Sequence, residues 1–468
     1  MDSIRNRPLS ELQTGDHAEL VRTLTSRDIE LFAAITGDVN PLHVEHDFAR
    51  KHLFHHVVAH GMWLGGLISS VLGTMLPGPG TVYRSQSLEF LHPVVPGDTV
   101  AVGVTVAAID TTLNRVALDC SATNQDGVVV ARGQAEVMAP LEALTVPRVV
   151  PPDVVLHEKG KRYRALMDAA RRHPAIRTAV VHPVDAVSLA GAIEAAEAGL
   201  IVPLLIGPRA KIEAAAAAAN ISLAGYTIAD TAHSHAAARF AAQMAYEGRV
   251  QALMKGALHT DELMHAVVAK ENGLLTERRV SHVFVLDVPT YARPLFITDA
   301  AINVLPDLEA KRDIAQNAID LAHALGIAEP RVALISAVET VYPKVGSTVD
   351  AAALCKMAER GQITGAKLDG PMAFDLAVSP AAAQTKGFVS DVAGRADILL
   401  VPNLEAGNML AKQLEYLAGA EIAGIALGAR VPVILTSRAD GELARLASCA
   451  LAVLMTAAKS NNETGAAS

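Results

Sequence analysis

The sequence predicts two domains of different class: an α+β domain in which an antiparallel sheet wraps one central helix, and then an α/β domain with a mainly parallel sheet. Three observations predict this. The chain has 468 residues, too many for one ordinary core when domains run to roughly 100–200 residues. The stretch "PLEALTVPRVVPPDVVLHEKG", residues 140–160, carries prolines that block helix and central strand alike. The spacing of apolar residues also changes across it.

Taken in order, the N-terminus "MDSIRNRPLSELQTGD" lacks the apolar core of a signal peptide, so a cytoplasmic chain is expected. The apolar run from Met62 to Leu76 is glycine-containing and shorter than the roughly 20 residues that span a bilayer, which predicts a buried helix. "TVYRSQSLEFLHPVV", "TVAVGVTVAAID", "RVALDCSATNQ" and "GVVVARGQAEVMA" follow as β-rich segments separated by Gly and Asp-Gly turns. Successive strands with short turns form an antiparallel sheet, and one apolar helix needs a face to cover. Residues 1–140 are therefore assigned to the first domain and 141–160 to a connector.

From 161 to 460 short β-branched runs alternate with helical stretches. "TAVVHP", "LIVPLLIGP", "RVSHVFVLDVP", "RVALISAVE", "ADILLVPN" and "VPVILTSR" read as strands. "AKIEAAAAAANI", "HAAARFAAQMAYEG", "LEAKRDIAQNAIDLAHALG" and "EAGNMLAKQLEYLAGA" read as helices that mostly end at Gly or Asn. Residues 461–468 are expected to be a flexible tail.

A net charge of −9 without a Lys/Arg run argues against nucleic acid or an anionic membrane as partner, since both need a concentrated basic face. Aromatics at 4% leave few platforms for base stacking. Cys120, Cys355 and Cys449 stand far apart without metal-ligand spacing and read as core residues of a reducing compartment.

The segment "GDVNPLHVEHDFARKHLFHHVVAHGM", Gly37 to Met62, concentrates six histidines. Asn-Pro between Asp38 and His43 forces a turn, which can bring a carboxylate and an imidazole to face one point and hold a water there. Gly61 opens the long apolar helix, so first-turn N–H groups should be available to an oxyanion. Two other readings stand beside this one. The histidines could ligate a metal, although no stereotyped ligand spacing is present, and Asp38 could simply cap the next turn.

Residues 30 to 100 resemble the MaoC-like, (R)-specific enoyl-CoA hydratase family, through "AAITGDVNPLHVEHDFARKHLFHHVVAHGM" and "LPGPGTVYRSQSLEFLHPVVPGDTV". The resemblance implies a hot-dog fold and hydration of trans-2-enoyl-CoA to (R)-3-hydroxyacyl-CoA. Asp38 and His43 would be the water-activating pair and Gly61 the oxyanion donor, with Asn40 and His60 shaping the substrate site and no metal. Several such hydratases carry a serine early in the helix, where this chain reads Leu64-Gly65-Gly66.

In the second domain, "VPVILTSRADGELAR" sets Ser437, Arg438, Asp440 and Glu442 after a β-run, where open α/β sheets bind ligands. Arginine suits phosphate and a carboxylate can deprotonate a thiol, but Ser-Arg-Ala-Asp is also an ordinary helix start. Residues from about 160 to 460 resemble the phosphate acetyl/butyryltransferase family, through "LMKGALHTDELMHAVV", "FITDAAINVLPDLEAKRDIAQNAIDLAHALGI" and "VALISAVETVYPKVGST" among others. That resemblance implies reversible acyl transfer between CoA and phosphate. Ser437 and Arg438 would bind the phosphate end, and the base is Asp440 or Glu442, with Asp440 the better spaced. Where the family often has an arginine this chain has Met264-His265, so Lys255 and His265 are the candidate basic contacts.

Coenzyme A is then expected as substrate rather than as a cofactor, acyl phosphate as its partner, and a homo-oligomer as the assembly. A rival reading makes the second domain a non-catalytic module that senses acyl-CoA and oligomerises.

Overall fold

The computed structural model describes residues 3–52, 54–150, 154, 160–436 and 441–466. The chain divides into two compact units, Met1–Leu156 and His157–Ser468.

In the first unit, β1 (Ser3–Arg5), β2 (His17–Thr23) and three short helices, α1 (Ser26–Thr36), α2 (Pro41–Val44) and α3 (His46–Lys51), precede the apolar helix α4 (Gly61–Thr74). Strands β3 (Val82–Phe90), β4 (Thr99–Asp110), β5 (Arg115–Asn124), β6 (Val129–Met138) and β7 (Thr145–Pro147) follow. Five of the strands make an antiparallel sheet in the order β2-β4-β5-β6-β3. Alternation on β4 turns Val100, Val102, Val104 and Val106 to one face, and β5 adds Val116, Leu118, Cys120 and Ala122. Trp63, Leu64, Leu67, Ile68, Val71 and Leu72 of α4 share the core with that face. Each large aliphatic side chain so buried contributes roughly 1.5–3 kcal/mol, and the helix inside its sheet is the hot-dog arrangement.

The proline-rich stretch is not wholly a connector. Thr145–Pro147 pairs antiparallel with Ser3–Arg5 as a two-stranded ladder inside the first unit. An edge ladder tolerates Pro147, which has no N–H to donate.

The second unit opens with α5 (Lys161–Ala170), β8 (Ile176–Val181), α6 (Ala186–Glu197), β9 (Ile201–Gly207), α7 (Arg209–Ala219), β10 (Thr227–Asp230), α8 (Ser234–Tyr246), β11 (Ala252–Lys255) and α9 (Thr260–Val268). It continues through β12 (Ser281–Asp287), β13 (Leu295–Thr298), α10 (Leu308–Ala324), β14 (Arg331–Ile335), α11 (Gly346–Glu359), β15 (Lys367–Met372), α12 (Phe374–Val378) and α13 (Pro380–Thr385). The last elements are β16 (Ile398–Leu400), α14 (Leu404–Ala418), β17 (Glu421–Leu427), β18 (Val433–Ile434) and α15 (Glu442–Ala466).

One sheet of order β10-β9-β8-β11-β18-β17-β12-β13-β16-β14-β15 holds these strands. It is mostly parallel, but β18-β17-β12-β13 pair antiparallel, so the strands on either side of this insertion run in opposite directions. The alanine tract lies within α7, which ends at Asn220 in the left-handed conformation, φ 54. α15 continues to Ala466, where the sequence predicted a flexible tail from 461. Among the described residues, Glu442–Ser460 is long and apolar enough to cross a membrane, but 61% of it is buried inside the unit, as a core helix would be.

Candidate active sites

In the first unit the chain leaves α1 at Gly37, whose left-handed φ of 75 ends the helix and starts the loop carrying Asp38. Asn40 caps α2, its Oδ1 accepting the Leu42 N–H at 3.2 Å, and Pro41 supplies the first helical residue. This places His43 one turn later. The Val58 carbonyl oxygen lies 2.8 Å from His43 Nδ1, so Nδ1–H donates and Nε2 carries the lone pair. The Asp38 carboxylate is half-exposed and accepts the Asn40 N–H at 3.3 Å.

The remaining histidines of the segment separate sharply. His46, His52, His55 and His56 are exposed, whereas His60 is buried. Candidate ligand atoms of Asp38, His43 and His60 lie within 4.8 Å of one another, a grouping that invites a metal reading. His60 Nε2 lies 2.9 Å from the Asp38 carbonyl oxygen, which can only accept, so that nitrogen carries a proton and offers no lone pair to a metal.

α4 begins at Gly61, with His60 at its N-cap and no side chain capping it. Trp63 N–H goes to the His60 carbonyl, which leaves the Gly61 and Met62 N–H groups without intrahelical acceptors. A Cβ on Gly61 would lie 3.0 Å from the Phe90 ring. Gly61→Ala is therefore expected to push the exposed Phe90 ring aside by a few tenths of an ångström, a small loss of packing that the melting temperature checks.

In the second unit, Lys255 ends β11 and is half-buried. Gly256 follows because a Cβ there would fall 2.4 Å from the Val181 carbonyl oxygen. β11 pairs in parallel with β8 and with β18, so Lys255 comes level with the residue just beyond Ile434. Ser437, Arg438 and Asp440 lie outside the described residues. Glu442 is the exposed first residue of α15, and His265 is exposed near the end of α9.

Sequence reasoning passed over three polar residues of this unit. His182, directly after β8, is buried with a left-handed φ of 60, its Nδ1 has no hydrogen-bond partner among the described residues, and burial pushes its pKa down. Buried Asp299 accepts the N–H groups of Ala301, Ile302 and Asn303 and the Asn303 amide at 2.6 Å; Asn303 in turn accepts from Arg279 Nε at 3.0 Å. The Asp and Asn four residues apart in "ITDAAIN" were the available signal. Asn303 and Arg279 line a polar cavity of about 660 Å³. A second cavity, about 460 Å³ and mainly apolar, carries the Arg162–Asp287 ion pair at 2.6 Å.

His282, on β12 beside Asp299, is pushed down to about 4 by burial, against the opposing pull of the Asp299 charge. Because the ordinary value is 6.5, the unfolded chain takes this proton first. Stability is therefore lost as pH falls from about 6.5 toward 4. Urea midpoints at neutral pH and near pH 5 should show the loss, and His282→Gln should flatten it.

A family profile described as "Phosphate acetyl/butaryl transferase" matches residues 233–453, and one described as "MaoC like domain" matches residues 10–123. A phosphate acetyltransferase from Rhizobium meliloti is 61% identical over 296 residues, 63% of this chain and 94% of the relative. The chain belongs to the phosphate acetyl/butyryltransferase family. A phosphate butyryltransferase from Clostridium beijerinckii is 41% identical over 298 residues, 64% of this chain and 99% of the relative. A branched-chain phosphotransacylase from Enterococcus faecalis is similar in structure, with a TM-score of 0.54 and 27% identity over 60% of this chain and 99% of its own. The transferase family accounts for the second unit, and the MaoC-like domain ahead of it falls within the first.

Proposed function

We propose that the chain is a bifunctional acyl-CoA enzyme. The first unit hydrates trans-2-enoyl-CoA to (R)-3-hydroxyacyl-CoA, and the second exchanges acyl groups between CoA and phosphate. One observation carries the hydratase reading: the Val58 carbonyl fixes His43 with its Nε2 lone pair available, beside the Asp38 carboxylate.

A water held between these two groups loses a proton to the pair as its oxygen adds to C3 of the enoyl chain. The charge that develops on the thioester oxygen meets the first-turn N–H groups of α4 at Gly61. The proton held by the pair then passes to C2, so every atom of the water ends in the product. In the transferase, Asp440 or Glu442 takes the CoA thiol proton, the thiolate attacks the acyl phosphate carbonyl, and phosphate leaves held by Ser437 and Arg438. The higher identity to the acetyltransferase than to the butyryltransferase favours acetyl phosphate as the better substrate.

Self-association belongs to the same proposal. Among the described residues β3 pairs only with β6, and its other edge exposes Val82 and Phe90, which suits pairing with a second copy.

The rival reading, a sensing module, is favoured by the exposed His265, a weaker basic contact than arginine. An assay decides: purified protein should form acyl-CoA from CoA and acetyl, propionyl or butyryl phosphate, and Ser437→Ala should cut that rate by about a hundredfold. No acyl-CoA from any of the three, with Ser437→Ala inert in every assay, overturns the transferase reading.

A further inference from the structure

His60 is 2% exposed and stands at the N-cap of α4 without capping it. Its Nε2–H donates to the Asp38 carbonyl at 2.9 Å, and its Nδ1 is buried with no partner among the described residues. A donor at Nε2 and an empty Nδ1 describe the neutral Nε2–H tautomer. The ring centre lies 4.0 Å from that of His43 and 4.9 Å from that of Phe32. His60 thus touches both members of the proposed pair: one by hydrogen bond, the other by ring contact.

We propose that His60 is a positioning residue for Asp38 and His43, a role that rests on the hydratase reading. Asp38 needs such an anchor. Its carboxylate is 52% exposed and accepts the Asn40 N–H at 3.3 Å, and the loop after Gly37 is otherwise held by local bonds alone, Asp38 N–H to Thr36 Oγ1 at 3.2 Å and Val39 N–H to the Gly37 carbonyl at 3.1 Å. The His60 bond holds the Asp38 backbone from a residue 22 positions away, beside the helix terminus that would receive the thioester oxygen. The same ring gives His43 a neutral aromatic surface at the moment His43 accepts a proton, where a cation gains from a facing π system. A merely space-filling His60 would be replaceable by phenylalanine. An anchoring His60 would not.

Three variants of the full chain separate these roles. His60→Phe keeps a ring and loses the donor, His60→Gln keeps a donor close to the Nε2 position and loses the ring, and His60→Ala loses both. On crotonyl-CoA, His60→Phe is expected to lower kcat by about tenfold to a hundredfold with KM little changed, the scale of a misplacement of about 1 Å. His60→Gln should recover most of that loss, His60→Ala should fall lowest, and all three should melt as cooperative folded proteins. Wild-type kcat in His60→Phe, or no advantage of His60→Gln over His60→Phe, overturns the proposal.

Nitrogen NMR of the imidazoles supplies a readout apart from turnover: His60 should show a protonated Nε2 and an unprotonated Nδ1 at neutral pH, and the reverse tautomer overturns the anchor. If the wild type hydrates no enoyl-CoA, the hydratase reading fails first. The tautomer and the melting curves then still decide whether His60 holds the Asp38 loop.

Discussion

Asp38→Asn is expected to lower kcat for crotonyl-CoA hydration by about a thousandfold while the protein stays folded. A positioned acid–base group contributes about 10²–10⁴ in rate, and a thousandfold corresponds to about 4 kcal/mol of transition-state stabilisation. Asparagine keeps an oxygen to accept the Asn40 N–H, and the backbone carbonyl that receives the His60 proton is untouched. The side chain is half-exposed, so an amide there costs little stability. In the proposed hydration, what is lost is the carboxylate's capacity to take a proton from water beside His43. Loss of activity with an unchanged melting temperature is the expected pair of results. Retention of activity within tenfold of wild type would remove Asp38 from the mechanism.

The second large effect is on stability. Gly133, in the middle of β6, lies so close to β3 that a Cβ would fall 1.9 Å from the Ser87 carbonyl oxygen and 2.8 Å from its carbon. Neither atom belongs to a flexible side chain. Gly133→Ala must therefore part β6 from β3 where Gly133 pairs with Leu88 and, on the other side, with Cys120. Overpacking in a well-filled core costs about 1–3 kcal/mol, and backbone contact this close puts the expected loss near the top of that range. Thermal inactivation of the proposed hydratase activity should move to lower temperature than in the wild type. A Gly133→Ala protein with an unshifted hydratase transition would show that the strands separate at little cost.

Much of the fold was legible because it is written in local patterns. The alternating valines of β4 and the turn residues around β5 and β6 announce strands wherever they occur. The Asn-Pro turn and Gly37 place Asp38 and His43 by backbone chemistry alone. Short strands escaped: Ala252–Lys255 and Leu295–Thr298 are too brief and too uniformly buried to alternate. The ladder between Ser3–Arg5 and Thr145–Pro147 joins the two ends of one unit, and nothing local in either segment announces the other.

The resemblance to the hydratase family, and not spacing, gave Asp38 and His43 their expected role; the sequence by itself determined the two classes of domain, their order and the helix start at Gly61. These follow from spacing, turn chemistry and the rules for helix ends, all of which act over a few residues. Only the tertiary structure decided the hydrogen-bond partners and the burial of the histidines in that segment. The Val58 carbonyl, 15 residues beyond His43, sets which of its nitrogens carries the proton, and burial against Phe32 and His43 separates His60 from its four exposed neighbours. Likewise the antiparallel insertion of β17 and β12, which reverses the large sheet, depends on pairing between strands more than a hundred residues apart. Proton placement and strand direction are set by partners distant in the chain, and no local pattern records them.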